Sequence, residues 1–363
     1  MDSLKIGYLP FCDSLPLFVA EDMGYFYGCG LDVRLVLFET GNAVISAIMA
    51  GLIDGGMFGS VPLIFGRKKN LPITPVLDGG HVKTDSVPYT GLFVRSDSGI
   101  TNLNGLKGTI ALNGYNTNSE VLLRIAAKKA GISTPLNCIT MPMWAMIDSL
   151  EHKLIDGAFL IEPYISMGQS KKLLRLIVAS KEVIPKFQSS FMCFHNAQLS
   201  QHTESINKFK MAYKLALNFI SAEPESVRNI LATWLKIDVP LAQQMSLPDW
   251  VTDLNNEKVV GDIEKVLSEY SIVERGKIEI NNLHVSYEGE KKVPAVEDVS
   301  FKVNPGEFIC ILGTSGCGKS TILNAIAGFV NPTKGIVAMD DSNIEGPGVE
   351  RGIVFQSHAL FPW

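Results

Sequence analysis

The sequence has few charged residues and no excess of basic ones. Charged residues make up 19% of its 363 positions, and 32 Lys and Arg stand against 37 Asp and Glu, which gives a formal net charge of −5. Nucleic-acid-binding proteins usually carry a basic excess, so this balance argues against nucleic acid as a partner. Apolar residues reach 46%, which is enough to fill sizeable cores and too much for a disordered chain.

Paired cysteines, a signal peptide and an unbroken apolar segment are also missing. The six cysteines are scattered without a C-x-x-C pair, which argues against a disulfide or zinc framework. The most apolar window, 44–66, is broken by glycines, a proline and Asp54, so it predicts a helix, a turn, a strand and a second helix. The first residues lack a basic region followed by an apolar stretch. We therefore expect a cytoplasmic protein with reduced cysteines and no membrane span.

An internal repeat links two parts of the chain. Segments 45–58 and 147–160 share apolar residues at helical spacing, then Ile-Asp-Gly, then an apolar run. Each segment is preceded by a predicted strand, 5–9 or 109–113, and by a predicted helix with Ser, Asp or Asn at its start. The order β-α-β-α-β in each half favours two α/β lobes, each built on a parallel sheet.

Two similar lobes predict a cleft between them, with helix N-termini aimed at it. Such N-termini offer unpaired N–H donors and the positive end of a dipole, so they suit an anion. The candidate solute-binding residues are Asp13, Ser14, Gly41, Asn42, Ser60, Asn116, Thr117, Asn118, Ser119, Trp144 and Glu162. In a second interpretation the Ser and Asn side chains only cap helices, and Trp144 belongs to the core. Residues 1–66 hold two basic and seven acidic residues, so no strong positive field would steer an anion there.

Three stretches carry a family resemblance: K-I-G-Y-L-P-F-C-D-S-L-P-L-F-V-A-E-D-M-G-Y-F, G-L-I-D-G-G and H-K-L-I-D-G-A-F-L-I-E-P-Y. They look like the nitrate/sulfonate/taurine-type periplasmic substrate-binding proteins and the similar thiamine-pyrimidine-binding superfamily. The resemblance covers roughly residues 4–240. It implies a type II periplasmic-binding-protein fold, with lobe I at about 1–91 and 191–270 and lobe II at about 92–190.

A second motif lies towards the end of the sequence. The segment G-T-S-G-C-G-K-S at 313–320 matches G-x-x-x-x-G-K-[ST] in full. We expect a buried strand at 307–312 before it and an apolar helix at 321–327 after it. In such a loop, main-chain N–H groups face phosphate oxygens, Lys319 approaches the β- and γ-phosphates, and the Ser320 hydroxyl binds Mg²⁺. The alternative is a glycine-rich turn without a ligand.

The surrounding segments narrow the interpretation of this loop. They read V-S-Y-E-G, A-V-E-D-V-S-F-K-V-N-P-G-E-F and R-G-I-V-F-Q-S-H-A-L-F-P-W. With the loop they resemble the ATPase subunit of an ABC importer of the nitrate/sulfonate/taurine group. The resemblance implies ATP and Mg²⁺ as cofactors, adenine stacking on Tyr287, and Gln356 at the metal together with Ser320; Tyr287 is otherwise a surface aromatic. The residues assigned to ATP by this resemblance are Tyr287, Gly313, Thr314, Ser315, Gly316, Cys317, Gly318, Lys319, Ser320, Thr321 and Gln356.

The expected organisation is a substrate-binding domain at 1–270, a linker at 271–276 and part of an ABC ATP-binding domain at 277–363. The signature motif, the acidic strand end and the switch histidine of that ATPase family do not occur, so we expect no ATP hydrolysis by this chain alone. The expected partners are a small, anionic solute, a membrane permease and a second ATPase subunit, at the inner face of the membrane.

Two other functions stay open. One is a stand-alone binding protein for pyrimidine precursors or small anions, with an accidental ATPase fragment. The other is a separate P-loop enzyme such as a kinase, against which Tyr287 and the ending F-Q-x-H-x-L-F-P-W argue.

Overall fold

The computed structural model of the protein describes residues 1–82, 88–251, 256–287, 293–340, 342–348 and 351–354. The chain divides into two compact units, Met1–Ile272 and Val273–Trp363. Each unit has its own hydrophobic core. Within the described ranges, no helix combines the length and the apolar character needed to cross a bilayer.

The first unit alternates strands and helices along most of its length. Its strands are β1 (Asp2–Tyr8), β2 (Leu31–Leu37), β3 (Gly55–Gly59), β4 (Ile73–His81), β5 (Thr90–Arg95), β6 (Ile110–Leu112), β7 (Cys138–Thr140), β8 (Gly157–Ile161), β9 (Leu174–Ala179) and β10 (Gln188–His195). Its helices are α1 (Leu15–Asp22), α2 (Tyr25–Gly28), α3 (Gly41–Met49), α4 (Ser60–Lys68), α5 (Asn118–Lys129), α6 (Met143–Glu151), α7 (Tyr164–Ser170), α8 (Ser180–Val183), α9 (Asn196–Gln201), α10 (Thr203–Ala222), α11 (Pro224–Leu235), α12 (Val239–Gln244) and α13 (Asn256–Glu269). Short 3-10 helices lie at Cys12–Ser14 and Leu103–Gly105.

The two lobes contain five-stranded sheets of matching design. The strand order is β2-β1-β3-β10-β4 in lobe I and β7-β6-β8-β5-β9 in lobe II. In lobe I, β10 runs antiparallel to both of its neighbours, and β5 does the same in lobe II. The prediction of parallel sheets is therefore wrong for β10 and β5. The reason is that each of these strands enters its sheet from the other lobe, whereas the remaining strands other than β1, the first element, follow helices of their own lobe.

The repeated Ile-Asp-Gly motif has the same structural role in both lobes. Asp54 accepts a hydrogen bond from the main-chain N–H of Lys5 in β1 at 2.7 Å, and Asp156 accepts one from Thr109, directly before β6, at 2.8 Å. These bonds fix the start of β3 and of β8. The repeated leucines Leu52 and Leu154 are exposed, although the pattern placed them on a buried helix face, because α3 and α6 end before them.

The second unit has an antiparallel sheet and one helix in its described residues. The elements are β11 (Ile278–Tyr287), β12 (Val293–Val303), α14 (Lys319–Ala327), β13 (Lys334–Met339) and β14 (Ser342–Asn343). The sheet order is β12-β11-β13-β14, and all of its pairs are antiparallel. Residues such as Ile280, Val285 and Ile322 form its core.

The segment 307–312 is not the buried strand that the sequence predicts. It has no strand conformation, and Phe308 and Leu312 are 94% and 85% exposed. A buried strand needs hydrogen-bonded neighbours on both sides. Among the described residues of the second unit, none pairs with this segment.

Candidate functional site

Polar side chains from both lobes gather where the chain passes from one lobe to the other. Asp13 follows β1, Tyr89 directly precedes β5, and Ser189 lies in β10. Ser189 Oγ donates a hydrogen bond to Asp13 Oδ1 at 3.0 Å, and the Tyr89 hydroxyl lies beside the same carboxyl group. We call Asp13, Tyr89 and Ser189 the cleft base. Only Asp13 was among the residues predicted from the sequence.

Asp13 is a carboxyl group that resists ionisation. Burial raises the pKa of Asp13 from 3.8 to about 7, and the nearby Asp78 also raises it, whereas the hydrogen bond from Ser189 and the neighbouring Tyr89 hydroxyl lower it. Asp13 nevertheless keeps part of its surface open to solvent. At neutral pH both charge states are populated, so the side chain can accept hydrogen bonds and, when protonated, donate one.

Asn118 joins lobe II to lobe I. It begins α5, and its Oδ1 accepts a hydrogen bond from the main-chain N–H of Val61 at 3.0 Å. Its Nδ2 donates to the main-chain oxygen of Ser189 at 2.5 Å. Ser60 Oγ lies 3.5 Å from Asn118 Oδ1 and donates to the Gln188 oxygen at 2.7 Å. Because Val61 lies in the first turn of α4, a side chain of one lobe caps a helix of the other.

The close approach of Asn118 depends on a glycine. A Cβ at Gly59 would lie 2.9 Å from Asn118 Oδ1, closer than a side chain can tolerate without movement. A second contact between the lobes lies nearby, since Asn42 Nδ2 donates to the main-chain oxygen of Tyr115 at 3.3 Å. Asn42, Ser60 and Asn118, all predicted as solute-binding residues, therefore take part in contacts between the lobes.

Glu162 is buried and its two oxygens have protein donors. Oε1 accepts hydrogen bonds from Ser166 Oγ at 2.8 Å and from the main-chain N–H of Ser246 at 3.3 Å. Oε2 accepts one from the main-chain N–H of Ser166 at 3.0 Å. Burial raises the pKa of Glu162, while these hydrogen bonds and the charge of Arg228 oppose the increase.

Three further predicted residues lie at the start of a helix. Ser14 Oγ donates to the Leu9 oxygen at 2.8 Å. Thr117 caps α5, and its Oγ1 accepts a hydrogen bond from the main-chain N–H of Glu120. Gly41 is buried at the start of α3. For Thr117 in particular, the geometry is that of the helix-cap interpretation.

The last three predicted residues lie around α5 and α6. Asn116 has a φ of 59°, and its N–H donates to Glu120 Oε2 at 3.3 Å. Ser119 is buried in the first turn of α5. Trp144 lies in the first turn of α6 and is 64% exposed, so the interpretation of Trp144 as a core residue is wrong.

Sequence reasoning missed a buried network next to the cleft base. Asp78 Oδ1 accepts hydrogen bonds from Gln188 Nε2 and from the main-chain N–H of Gly80, the latter at 2.7 Å. Asp78 Oδ2 accepts one from the main-chain N–H of Val251 at 2.6 Å. The Tyr213 hydroxyl donates to the Asp78 main-chain oxygen at 2.6 Å. These residues are far apart in the sequence and share no motif, so no local pattern could have grouped them.

In the second unit, the predicted phosphate loop leads directly into α14. Gly316 and Gly318 have φ of 84° and 93°, a conformation that favours glycine. Lys319 Nζ donates to the main-chain oxygens of Gly313 and Thr314, at 3.0 and 2.6 Å. The lysine therefore lies over the loop, where its charge is within reach of a group bound there. Ser315 and Cys317 are exposed in the same loop.

The remaining predicted nucleotide residues lie at the end of β11 and the start of α14. The Tyr287 hydroxyl is 3.4 Å from Thr321 Oγ1, and Ser320 is exposed. Gln356 lies outside the described residues. Over the described ranges, no group of three or more His, Cys, Asp and Glu could hold a metal ion. Of the two predicted Mg²⁺ ligands, only the Ser320 hydroxyl lies within the described residues, and an exposed glycine-rich loop with Lys319 above it fits the phosphates of a nucleotide.

Known proteins match this chain in two separate regions. A family model described as NMT1/THI5 like matches residues 12–227, and one described as ABC transporter matches residues 296–363. The taurine import ATP-binding protein TauB of Yersinia pestis bv. Antiqua is 43% identical over 86 residues, which are 24% of this chain and 32% of that protein. The chain thus spans about a third of the length of the curated relatives it matches.

Solved structures with the two-lobe fold cover three quarters of the chain. The ligand binding component of an ABC-type import system from Staphylococcus aureus is 19% identical, with a TM-score of 0.65 over 75% of this chain and 93% of that one. The periplasmic aliphatic sulphonate binding protein SsuA from Escherichia coli is 18% identical, with a TM-score of 0.61 over 75% of this chain and 94% of that one. At these identities the likeness shows the fold alone, which is the α/β two-lobe periplasmic-binding-protein fold expected from the sequence.

Proposed function

The chain belongs to the NMT1/THI5-like family and carries an ABC transporter ATPase region after it, and from this we propose that it is a component of an ABC importer. Its first unit binds a small solute between the lobes, and its second unit binds ATP. The observation that carries the solute site is the meeting of Asp13 and Ser189 of lobe I with Asn118 of lobe II. Neither lobe supplies this set alone.

The solute proposed first is a small anion of the nitrate, sulfonate and taurine class. The names of the taurine and sulphonate relatives support this choice.

A second candidate is a pyrimidine precursor, bound by a protein that works without ATP. One observation favours it: the Asp13 carboxyl lies at the cleft base with only one donor bonded to it at good geometry among the described residues, Ser189 Oγ. A ring amino group would supply the N–H donors that a carboxylate accepts.

In the second unit, the loop 313–320 receives the phosphates of ATP. Lys319 exchanges the oxygens of Gly313 and Thr314 for the β- and γ-phosphates, and Ser320 binds Mg²⁺. Tyr287 stacks on adenine, and Thr321 and Gln356 complete the phosphate and metal contacts. The proposed partners are a membrane permease and a second ATPase subunit, at the cytoplasmic face where ATP is available.

A thermal-shift screen of the full chain tests both parts. We expect one of nitrate, taurine, an alkanesulfonate or an aminopyrimidine to raise the melting temperature, since a ligand at 100 times its Kd adds about 2.7 kcal/mol. ATP with Mg²⁺ should give its own shift. Lys319→Ala should lose the ATP shift and keep the solute shift, whereas Lys334→Ala, a surface control in β13, should keep both. Absence of any shift with every solute contradicts the solute site.

A further inference from the structure

We propose that Asp13 makes the cleft select solutes that present an amino or other N–H-bearing group, against solutes of the same shape that lack it. This inference rests on the proposed solute-binding function and specifies the ligand of the same site. The solute must then carry an N–H donor as well as an anionic group, because a purely anionic solute would leave the Asp13 carboxylate without a hydrogen-bond donor.

The first support is the hydrogen-bonding capacity of Asp13. An ionised carboxylate offers about four acceptor positions. In the described residues one side-chain donor bonds to it at good geometry, Ser189 Oγ at 3.0 Å on Oδ1. Gly80 lies against the same oxygen, and a Cβ there would be 3.0 Å from Oδ1. Asp13 as a whole residue is only partly buried, and a ligand at the cleft base would take up the acceptor positions that the protein leaves open.

The second support is the environment of the Tyr89 hydroxyl. This observation is independent of the charge state of Asp13. Its side chain is 2% exposed, and its hydroxyl has no hydrogen-bond partner of good geometry among the described residues, although it lies beside Asp13. A buried polar group without a partner costs about 1–3 kcal/mol, so such groups are rare unless something else satisfies them. A solute at the cleft base would supply the missing partner to Tyr89 and the missing donor to Asp13.

The third support is the charge around Asp13. The groups that shift its pKa are the Asp78 carboxyl and the hydroxyls of Ser189 and Tyr89, and none of them is a cation. Cys12, directly before it, is a buried thiol whose pKa is raised by burial, by Asp13 and by Glu162, and is lowered in part by the charge of Arg228. A second negative charge placed here is repelled, whereas a protonated amine gains an attractive partner in a poorly solvated site.

The test is a calorimetric titration of the full chain with two matched pairs of probes. The pairs are taurine with ethanesulfonate and 4-aminopyrimidine with pyrimidine; in each pair only the first carries the amino group. We expect the amino member of at least one pair to bind ten times tighter or more than its partner. In Asp13→Asn that ratio should fall to threefold or less, because the charge is gone while the volume is kept. Asp32→Asn, which removes an exposed carboxylate on β2, should leave the ratio unchanged.

The pH dependence separates a direct contact from a merely structural role. If Asp13 must be ionised to hold the amino group, wild-type affinity for the amino member rises between pH 6 and pH 8, while Asp13→Asn shows no such rise. Equal binding of both members of each pair to the wild type overturns the role of Asp13 and leaves the solute site standing. Binding of none of the four probes overturns the role of Asp13, and the solute site is overturned as well if nitrate also fails to bind.

Discussion

The Asp13 carboxyl lies in an environment where its charged form is unfavourable, and its ionisation there lowers the stability of the native state. Its pKa is raised to about 7, mainly by burial, with a further increase from Asp78. In the unfolded chain the group is already ionised above pH 4. Residues that bind ligands often carry such a penalty, because the ligand and not the protein provides the compensating group.

Asp13→Asn should therefore stabilise the protein in the absence of solute, and more so as the pH rises. Between pH 4 and 7 the native state binds the proton more tightly than the unfolded state, so stability falls as the pH rises through this window. The penalty is absent below about pH 4 and reaches up to about 4 kcal/mol above pH 7.

Urea unfolding at pH 5 and pH 8 measures this difference. We expect the free energy of unfolding of Asp13→Asn to exceed that of the wild type at both values, with the larger excess at pH 8. The exposed carboxylate variant Asp32→Asn serves as the control and should show no such trend. If the difference in the free energy of unfolding between Asp13→Asn and the wild type becomes smaller as the pH rises, the pKa of Asp13 is not raised in the native state.

Elements that follow from local patterns were predictable, and those that depend on both lobes were not. A proline in the first turn predicted α11, which begins at Pro224, and the repeat predicted α3, β3, α6 and β8. The antiparallel direction of β5 and β10 depends on the lobe from which the chain arrives, and no local periodicity encodes that. Because β10 carries Ser189 and Tyr89 directly precedes β5, two of the three residues of the cleft base were missed with these strands.

Asn118 gives the contact between the lobes a test at the level of one helix. Its Oδ1 caps α4 through the Val61 N–H, so Asn118→Ala should remove a cap worth about 1 kcal/mol. We expect hydrogen exchange in the peptide that contains Val61 to become about fivefold faster. Gly59→Ala should have the same effect with Asn118 intact, because the added Cβ displaces the side chain.

The matched control is Asn102→Ala. Asn102 Oδ1 also caps a helix, accepting from the Gly105 N–H at 3.0 Å, but both residues belong to lobe II. This variant should loosen its own turn and leave the Val61 peptide unchanged. If exchange at Val61 is the same in Asn118→Ala and in the wild type, the cap between the lobes does not form in solution.

At the scale of the whole molecule, the chain has two compact units with separate cores and a candidate ligand site in each. The family match at 12–227 falls in the first unit and the ABC transporter match at 296–363 falls in the second. The solute site draws on both lobes of the first unit, and the phosphate loop draws on the second unit alone. We therefore expect each ligand to protect its own site from hydrogen exchange.

Hydrogen exchange of the full chain with and without 10 mM taurine tests the solute site most directly. We expect slower exchange in peptides that contain Asp13, Val61, Asn118 and Ser189, and no change in the peptides of the phosphate loop 313–320. Protection confined to these four segments, three from lobe I and one from lobe II, places the solute at the cleft base. Taurine that binds by calorimetry but protects other segments, or protects one lobe only, would contradict a solute site formed between the lobes.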